Sequence, residues 1–168
     1  MRGLLIYFVL CSTFCFNALA QSPQPIADES ATALCSFEDG KQITARYAPV
    51  SAGHADTLPT KVFAPGGTAI ALFTETDVML NNTVIPTGGY TMYLQGGKKE
   101  WTLIVSRNAD LNAKYEESKD LARAGMEIGQ LNSPEEKLSI YFGHTGPKRC
   151  EINVNYGKWR GWVEFREK

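Results

Sequence analysis

The groups of this chain with the most distinctive chemistry are four cysteines and two histidines, because thiols and imidazoles serve as nucleophiles, bases and metal ligands. Cys35 and Cys150 lie far apart in the sequence, and neither belongs to a Cys-x-x-Cys motif. This arrangement predicts one structural disulfide in an oxidising compartment. A redox or nucleophilic thiol is the alternative, and it would need Lys148 and Arg149 to lower the pKa of Cys150.

Both histidines stand in glycine-bearing segments. His54 and His144 each lack a second His, Cys or acidic ligand at the short spacing that metal sites in proteins usually show. We interpret both as loop residues on a solvated surface. The sequence therefore predicts no metal site and no cofactor.

Carboxylates are the remaining candidates for catalysis, because all-β glycosidases draw a pair of Asp or Glu residues from distant strands. Glu75, Asp77 and Glu100 lie at the edges of predicted hairpins, and Glu164 alternates with apolar residues. We interpret each as a solvated strand residue. Neither Gly-x-Ser-x-Gly nor Ser-x-x-Lys occurs in a convincing context. We assign no catalytic residue and favour a protein that is not an enzyme.

Aromatic residues give the clearest candidates for binding. If Val163 and Phe165 face the core, period-two alternation turns Trp162 outward. An outward tryptophan on a sheet can stack on a sugar ring, and Tyr93 or Tyr141 could extend that platform. Cross-strand packing between aromatic side chains is the competing and simpler explanation. The candidate binding residues are Trp162, Tyr93, Tyr141 and Glu100.

Short antiparallel strands must position these groups. Between Asp77 and Asn108 apolar residues alternate with polar ones, and Asn-Asn and Gly-Gly pairs interrupt the alternation. Half-buried strands joined by tight turns have this pattern. The segments Tyr90–Gln95 and Trp101–Ser106 are the clearest predicted strands, and Gly96-Gly97 begins the turn between them.

The same alternation continues on both sides of this block. Asp39-Gly40 predicts a type I′ hairpin near the start of the fold. The proline-bearing residues 48–67 predict a long excursion or a poorly formed edge strand. For residues 107–131 we favour a loop or a single helical turn followed by a strand. Later strands end in the turns Gly143–Lys148 and Gly157–Lys158.

These segments amount to about nine or ten short strands in one domain over residues 34–168. No internal repeat or heptad pattern interrupts them. The predicted fold is all-β, an antiparallel β-sandwich or a jelly-roll-like barrel.

Residues 1–20 carry the pattern of a secretory signal peptide. Arg2 precedes an apolar run, and Ala18-Leu19-Ala20 forms a small-x-small cleavage site. The residues before Cys11 and Cys15 are too large for a lipoprotein signal. We therefore expect cleavage after Ala20 and a secreted or periplasmic product. The polar, proline-bearing residues 21–33 predict a flexible lead-in to the domain.

The charge balance excludes one large class of partners. The chain has 17 basic and 18 acidic residues, and it lacks the basic stripe that binding to a phosphate backbone requires. We predict no nucleic-acid partner, and no apolar run is long enough for a membrane span. A glycan or an envelope protein is the expected kind of partner. Asn81-Asn82-Thr83 is a formal N-glycosylation acceptor, which matters only in a host that glycosylates exported proteins.

Several of these segments together resemble a bacterial family, the domain of unknown function 2911. The resemblance covers residues 68–168 and implies a secreted β-rich domain without an established activity. Family members carry a Trp-Arg-x-Gly-Ala-Asn-Glu stretch where this chain has Lys61–Gly67, so a site built on that stretch would be absent here. The matching segments are Asp77-Val78, Ile85-Pro86, Gly88-Gly89-Tyr90, Trp101-Thr102-Leu103-Ile104, Tyr115–Asp120 and Trp159–Phe165.

We therefore interpret the chain as an exported soluble domain with a non-catalytic binding or envelope-associated role. A carbohydrate-binding or carbohydrate-processing protein is the alternative. The two interpretations differ in whether the outward face around Trp162 contacts a sugar.

Overall fold

The computed structural model describes residues 29–97 and 100–168, and its regular structure is β-strand apart from two short 3-10 turns. This confirms the all-β prediction, and the ten strands of the described residues agree with the nine or ten expected. The predicted signal peptide and the lead-in as far as residue 28 lie outside the described residues, whereas residues 31–33 of that lead-in begin the first strand. No helix in the described ranges is long and apolar enough to cross a membrane. The strands are β1 (Ala31–Ser36), β2 (Gln42–Tyr47), β3 (Val62–Phe63), β4 (Ile70–Thr74), β5 (Val78–Leu80), β6 (Thr83–Ile85), β7 (Gly88–Gln95), β8 (Trp101–Ser106), β9 (Asp120–Gly146) and β10 (Arg149–Glu167).

The strand pairs are all antiparallel and form one continuous sheet. Its order is β1-β2-β4-β7-β8-β9-β10-β5-β6, and β3 pairs with β7 outside this path. β9 joins the two parts of the sheet, because its first residues pair with β8 and its later residues with β10. The sheet folds over one main apolar core, which gives a sandwich-like architecture.

β9 and β10 are long rather than short, and β10 doubles back on itself. A straight strand of its 19 residues would span ~60 Å. Yet the amide of Glu167 donates a hydrogen bond of 2.8 Å to the carbonyl of Lys148, next to the start of the strand. Gly157 lies at the reversal with φ +58°, and the pairing with β9 shifts on both sides of it. The predicted turn at Gly157–Lys158 is therefore present, but it lies inside a strand that pairs with β9 on both sides of the turn.

The alternation along the second arm of β10, after Gly157, decides which of its side chains face the core. Val163 and Phe165 are buried, whereas Trp162, Glu164 and Arg166 are partly or fully exposed. Trp162 consequently belongs to the outer face of the sheet.

The hairpin between β1 and β2 is present at the predicted place, with a different turn type. Gly40 has φ +85°, but Asp39 lacks the positive φ that a type I′ turn requires at both central residues. The amide of Gly40 donates to the carbonyl of Phe37 (3.0 Å), and the amide of Phe37 donates to the carbonyl of Lys41 (2.8 Å). This pattern is a type I turn followed by a left-handed glycine, which makes a three-residue loop.

The two segments without a strand pattern take the forms expected of them. Residues 48–69 make a long excursion that contains only β3 and a 3-10 turn at Pro65–Gly67. The segment before β9 contains a single 3-10 turn at Glu117–Lys119. The first segment contributes Ala52 and Leu58 to the main core, and parts of both segments form a second, smaller apolar cluster on the outer face of the sheet. This cluster comprises Ala69, Tyr93 and Ile104, with Val62, Ala64, Leu111 and Tyr115 packed against them.

Two ties join the first hairpin to β9 and β10 across the main core. Cys35 and Cys150 form the predicted disulfide, with their Cα atoms 6.1 Å apart. The hydroxyl of Tyr47 accepts a hydrogen bond from the amide of Ile140 (2.9 Å) and donates one to the carbonyl of the same residue (3.3 Å). The disulfide and these hydrogen bonds thus fix the hairpin to the long strands, and Lys41 adds an ion pair with Glu167 of β10 (3.9 Å).

Candidate ligand-binding site

A concavity of about 700 Å³ lies on the outer face of the sheet, where β9, β10 and the β5–β6 hairpin meet. Its volume is in the range of small-molecule sites in proteins. The alternation along β10 explains its position, because Val163 and Phe165 point toward the core whereas Trp162, Glu164 and Arg166 point outward. The lining residues with polar, aromatic or missing side chains are Asn81, Asn82, Gly125, Glu127, Glu151, Trp162, Glu164 and Arg166.

Trp162 forms the aromatic wall of this concavity and is held from two sides. A Cβ atom added at Gly129 would lie 3.2 Å from Cζ3 of Trp162, so the absence of a side chain there lets the indole lie against β9. The guanidinium carbon of Arg160 stands 4.7 Å from the centroid of the indole, which is a cation–π contact. Arg160 does not line the concavity. The ring is therefore held by β9 and by Arg160 while it lines the concavity.

Gly125 keeps the base of the concavity open. A Cβ atom at this position would meet no other atom within 4 Å. The neighbouring outward positions on β9 are Arg123 and Glu127, whose long side chains flank the gap. The missing side chain of Gly125 therefore creates space that a bound molecule can fill.

Two of the three carboxylates that line the concavity have basic neighbours. An oxygen of Glu164 lies 3.9 Å from Nη1 of Arg149. An oxygen of Glu151 lies 4.0 Å from Nη2 of Arg160. All four side chains are partly exposed, so these pairs are weak and are screened by salt.

The other two charged groups at the concavity have no ionic partner within the described part of the chain. Glu127 is exposed, and it makes no ion pair and no side-chain hydrogen bond with the described residues. The guanidinium of Arg166 contacts Sδ of Met79 at 3.7 Å. Arg166 lies four residues beyond Trp162 along β10, whereas Glu127 is the register partner of Trp162 on β9. The carboxylate of Glu127 is therefore the charge nearest to the aromatic wall that remains available to a ligand.

The strand pairing gives the positions of two other residues predicted to bind. Glu100 directly precedes Trp101, whose partner on β9 is Met126, so Glu100 continues this register toward Glu127, the partner of Trp162. Tyr141 pairs with Asn153 on the first arm of β10, before Gly157. Of the four predicted residues, only Trp162 lines the concavity.

Tyr93 is placed differently from the other three. Its side chain points to the outer face but is only 2% exposed. The segment before β9 covers it, and the rings of Tyr93 and Tyr115 pack edge to face with centroids 5.1 Å apart. Tyr93 is therefore part of the second apolar cluster and does not extend the surface of Trp162.

Sequence reasoning assigned no role to a polar network that covers this cluster. The hydroxyl of Tyr115 donates to Oδ2 of Asp120 (2.8 Å). Nη1 of Arg123 donates to the same carboxylate oxygen (2.8 Å) and to the hydroxyl of Tyr115 (2.9 Å), and Nη2 donates to Gln95 (2.9 Å). Burial and the neighbouring carboxylate of Asp120 raise the pKa of Tyr115. The sequence signal for this network is the Tyr-x-x-x-x-Asp spacing, because the side chains of its two residues, Tyr115 and Asp120, hydrogen-bond to each other.

The residues considered for metal or thiol chemistry lie apart from the concavity. His54 and His144 are exposed, and both cysteines are in the disulfide. Within residues 29–97 and 100–168 no group of three or more His, Cys, Asp or Glu side chains is placed to hold a metal ion.

Comparison with known proteins gives one match. The model of a family described as "Protein of unknown function (DUF2911)" matches residues 61–165. No curated protein and no solved structure matches the chain. The matched range contains the concavity except for Arg166, and it contains the whole Tyr115–Asp120–Arg123 network. Because this range covers more than half of the 168 residues, the chain belongs to the DUF2911 family.

Proposed function

We propose that this protein is a non-catalytic binding module that holds a saccharide in the concavity beside Trp162. The observation that carries the proposal is the position of Trp162, a half-buried indole on an outward sheet face at the wall of a concavity of about 700 Å³. Aromatic rings offer a flat apolar surface on which the C–H face of a sugar can stack. A mostly polar rim around one aromatic wall suits a ligand that is rich in hydroxyl groups.

The polar residues of the concavity supply the partners that sugar hydroxyls need. The carboxylates of Glu127 and Glu164 accept hydrogen bonds, and the side-chain amides of Asn81 and Asn82 both donate and accept them. Because Gly129 and Arg160 already hold the indole of Trp162, binding orders few additional groups. A site built on strands rather than on long loops also keeps these groups at fixed separations.

A carbohydrate-processing activity is the alternative to binding alone. Glu127, Glu151 and Glu164 are carboxylates of the type that glycosidases use in pairs. Our proposal assigns them to hydrogen bonding, so a bound oligosaccharide should be recovered intact after prolonged incubation. Appearance of shorter products that depends on one of these carboxylates would favour the alternative.

We also propose that the protein is exported. The signal-peptide pattern before Gln21 supports this. The disulfide between Cys35 and Cys150 supports it independently, because disulfides persist mainly in oxidising compartments. N-terminal sequencing of the exported fraction should identify Gln21 as the first residue, and an intact Met1 there would contradict cleavage.

The binding proposal is tested by a glycan array, followed by calorimetry with the glycan that binds best. Trp162→Ala should weaken binding about tenfold or more, since loss of aromatic stacking alone is worth roughly 0.5–1.5 kcal/mol and contact area is lost with it. Gly125→Phe should also weaken binding by filling the base of the concavity, and it should leave the fold intact because no atom lies within 4 Å of its Cβ position.

Phe73→Ala is the matched control for these variants. It removes an aromatic side chain that is 52% exposed and that does not line the concavity. Its affinity for the glycan should equal that of the unchanged protein. A protein that binds no glycan on the array, or that binds equally well after Trp162→Ala, would refute the proposed function.

A further inference from the structure

We propose that the concavity selects saccharides that carry a protonated amino group. This inference rests on the proposed function and names the class of ligand more closely. It follows from the charges that line the concavity and from where they stand relative to the indole of Trp162.

The lining residues favour a cation over an anion. Glu127, Glu151 and Glu164 contribute three carboxylates, and Arg166 contributes one guanidinium. The guanidinium groups of Arg160 and Arg149 lie 4.0 and 3.9 Å from Glu151 and Glu164 and offset their charges, so the preference depends on Glu127, which has no ionic partner among the described residues. A carboxylate-bearing sugar would meet repulsion here, whereas an ammonium group would be attracted.

The position of Glu127 indicates that the amino group is a substituent of the sugar ring that stacks on Trp162. Glu127 lies directly opposite Trp162 in the register between β9 and β10, and neighbouring strands are ~4.8 Å apart. A sugar ring stacked on the indole therefore presents a ring substituent to this carboxylate. A charge-assisted hydrogen bond from an ammonium group is about twice as strong as one from a neutral hydroxyl.

Arg166, the guanidinium among the residues that line the concavity, lies too far along the strand to cancel this preference. Arg166 is four residues from Trp162 on β10, which corresponds to ~13 Å along an extended strand. Its guanidinium is turned to Sδ of Met79 on β5. Arg160 contacts the indole but is paired with Glu151 and does not line the concavity, so Glu127 is the unpaired charge next to the aromatic wall among the described residues.

The experiment uses three β-1,4-linked oligosaccharides of equal length, built from glucosamine, N-acetylglucosamine or glucose. They differ only at carbon 2, which carries an ammonium, an acetamide or a hydroxyl group. At pH 6 and low ionic strength, calorimetry should give at least tenfold tighter binding for the glucosamine oligomer. The advantage should shrink with added salt because exposed charges are screened. It should also disappear at pH 9, where the amino groups of the glucosamine oligomer are deprotonated and uncharged.

Glu127→Gln should remove the preference for the glucosamine oligomer and change the affinity for the glucose oligomer less than threefold. Glu117→Gln is the control, because this side chain is 81% exposed on the segment before β9 and lies outside the concavity. Equal binding of the three oligomers, or a preference that survives Glu127→Gln, would overturn the inference while glycan binding at Trp162 still stands. Failure of every glycan to bind would overturn both the inference and the proposed function.

Discussion

At the residue scale, Tyr115 links the two kinds of contact that hold the outer face together. Its ring packs on Tyr93, and its hydroxyl stands between Asp120 and Arg123. One atom therefore accepts a hydrogen bond from a guanidinium and donates one to a carboxylate. The ring covers the second apolar cluster, while the hydroxyl fixes the segment before β9 to the strand that follows.

We expect Tyr115→Phe to lower the free energy of unfolding by about 1 kcal/mol, because it deletes the hydroxyl and keeps the ring contact. Chemical denaturation followed by fluorescence measures this difference. Tyr141→Phe is the matched control, since the hydroxyl of Tyr141 makes no hydrogen bond with the described residues. A loss for Tyr115→Phe no larger than the loss for Tyr141→Phe would show that the hydroxyl contributes nothing.

The free energy of unfolding of the unchanged protein and of Tyr115→Phe, measured as a function of pH, tests the electrostatic contribution of the Tyr115 hydroxyl. Burial and Asp120 raise the pKa of Tyr115 above its ordinary value near 10, so the folded state favours the protonated phenol. The stabilisation is therefore complete below the unfolded-state pKa, and it is lost as the pH rises through the higher folded-state pKa. The stability difference between the unchanged protein and Tyr115→Phe should shrink from pH 8 to pH 11. A stability difference that stays constant from pH 8 to pH 11 would contradict the raised pKa of Tyr115.

At the element scale, two glycines in the long strands differ in how much space a side chain would have. Gly161 on β10 faces the core, where an added Cβ atom would lie 2.5 Å from Cε3 of the fully buried Trp101. Gly125 on β9 faces the concavity and has no atom within 4 Å of that position. Neither has a positive φ, so the difference between them is one of space and not of backbone conformation.

Gly161→Ala should therefore cost about 1–3 kcal/mol of stability, which is the usual penalty for overpacking a dense core. Gly125→Ala should leave stability unchanged or raise it by less than about 1 kcal/mol, because it restricts only the unfolded chain. Parallel denaturation curves of the two variants measure both values. If Gly161→Ala and Gly125→Ala changed the free energy of unfolding equally, this would contradict the close approach of β10 to Trp101.

The elements also show how far the sequence predicted the structure. Alternation identified the strands around Tyr90 and Trp101 and the outward position of Trp162, because side-chain direction in a strand is a local property. The pattern at Tyr93 is the same, yet that residue is buried by a segment that has no periodic pattern of its own. The concavity depends on register between β9 and the two arms of β10. Register is set by long-range pairing, so no local pattern around Gly125 or Glu127 indicated it.

At the scale of the whole molecule, the chain is closed by contacts between its first hairpin and its last two strands. The disulfide joins residues 115 positions apart, and the contacts of Tyr47 with Ile140 lie near it across the same core. A cross-link that encloses so much of the chain removes many conformations from the unfolded state. On a chain-entropy estimate such a loop is worth about 4–5 kcal/mol.

The double variant Cys35→Ser/Cys150→Ser should consequently unfold with a free energy about 4–5 kcal/mol lower than that of the disulfide-bonded protein. Addition of reductant to the unchanged protein should reproduce this loss, whereas it should not alter the double variant. Saccharide affinity at temperatures where the variant remains folded should fall much less, because Trp162 and Glu127 are paired by the β9–β10 ladder and not by the cross-link. A double variant within about 1 kcal/mol of the parent would mean that the polar and apolar contacts between the hairpin and the long strands already close the chain, and that the covalent bond adds little to them.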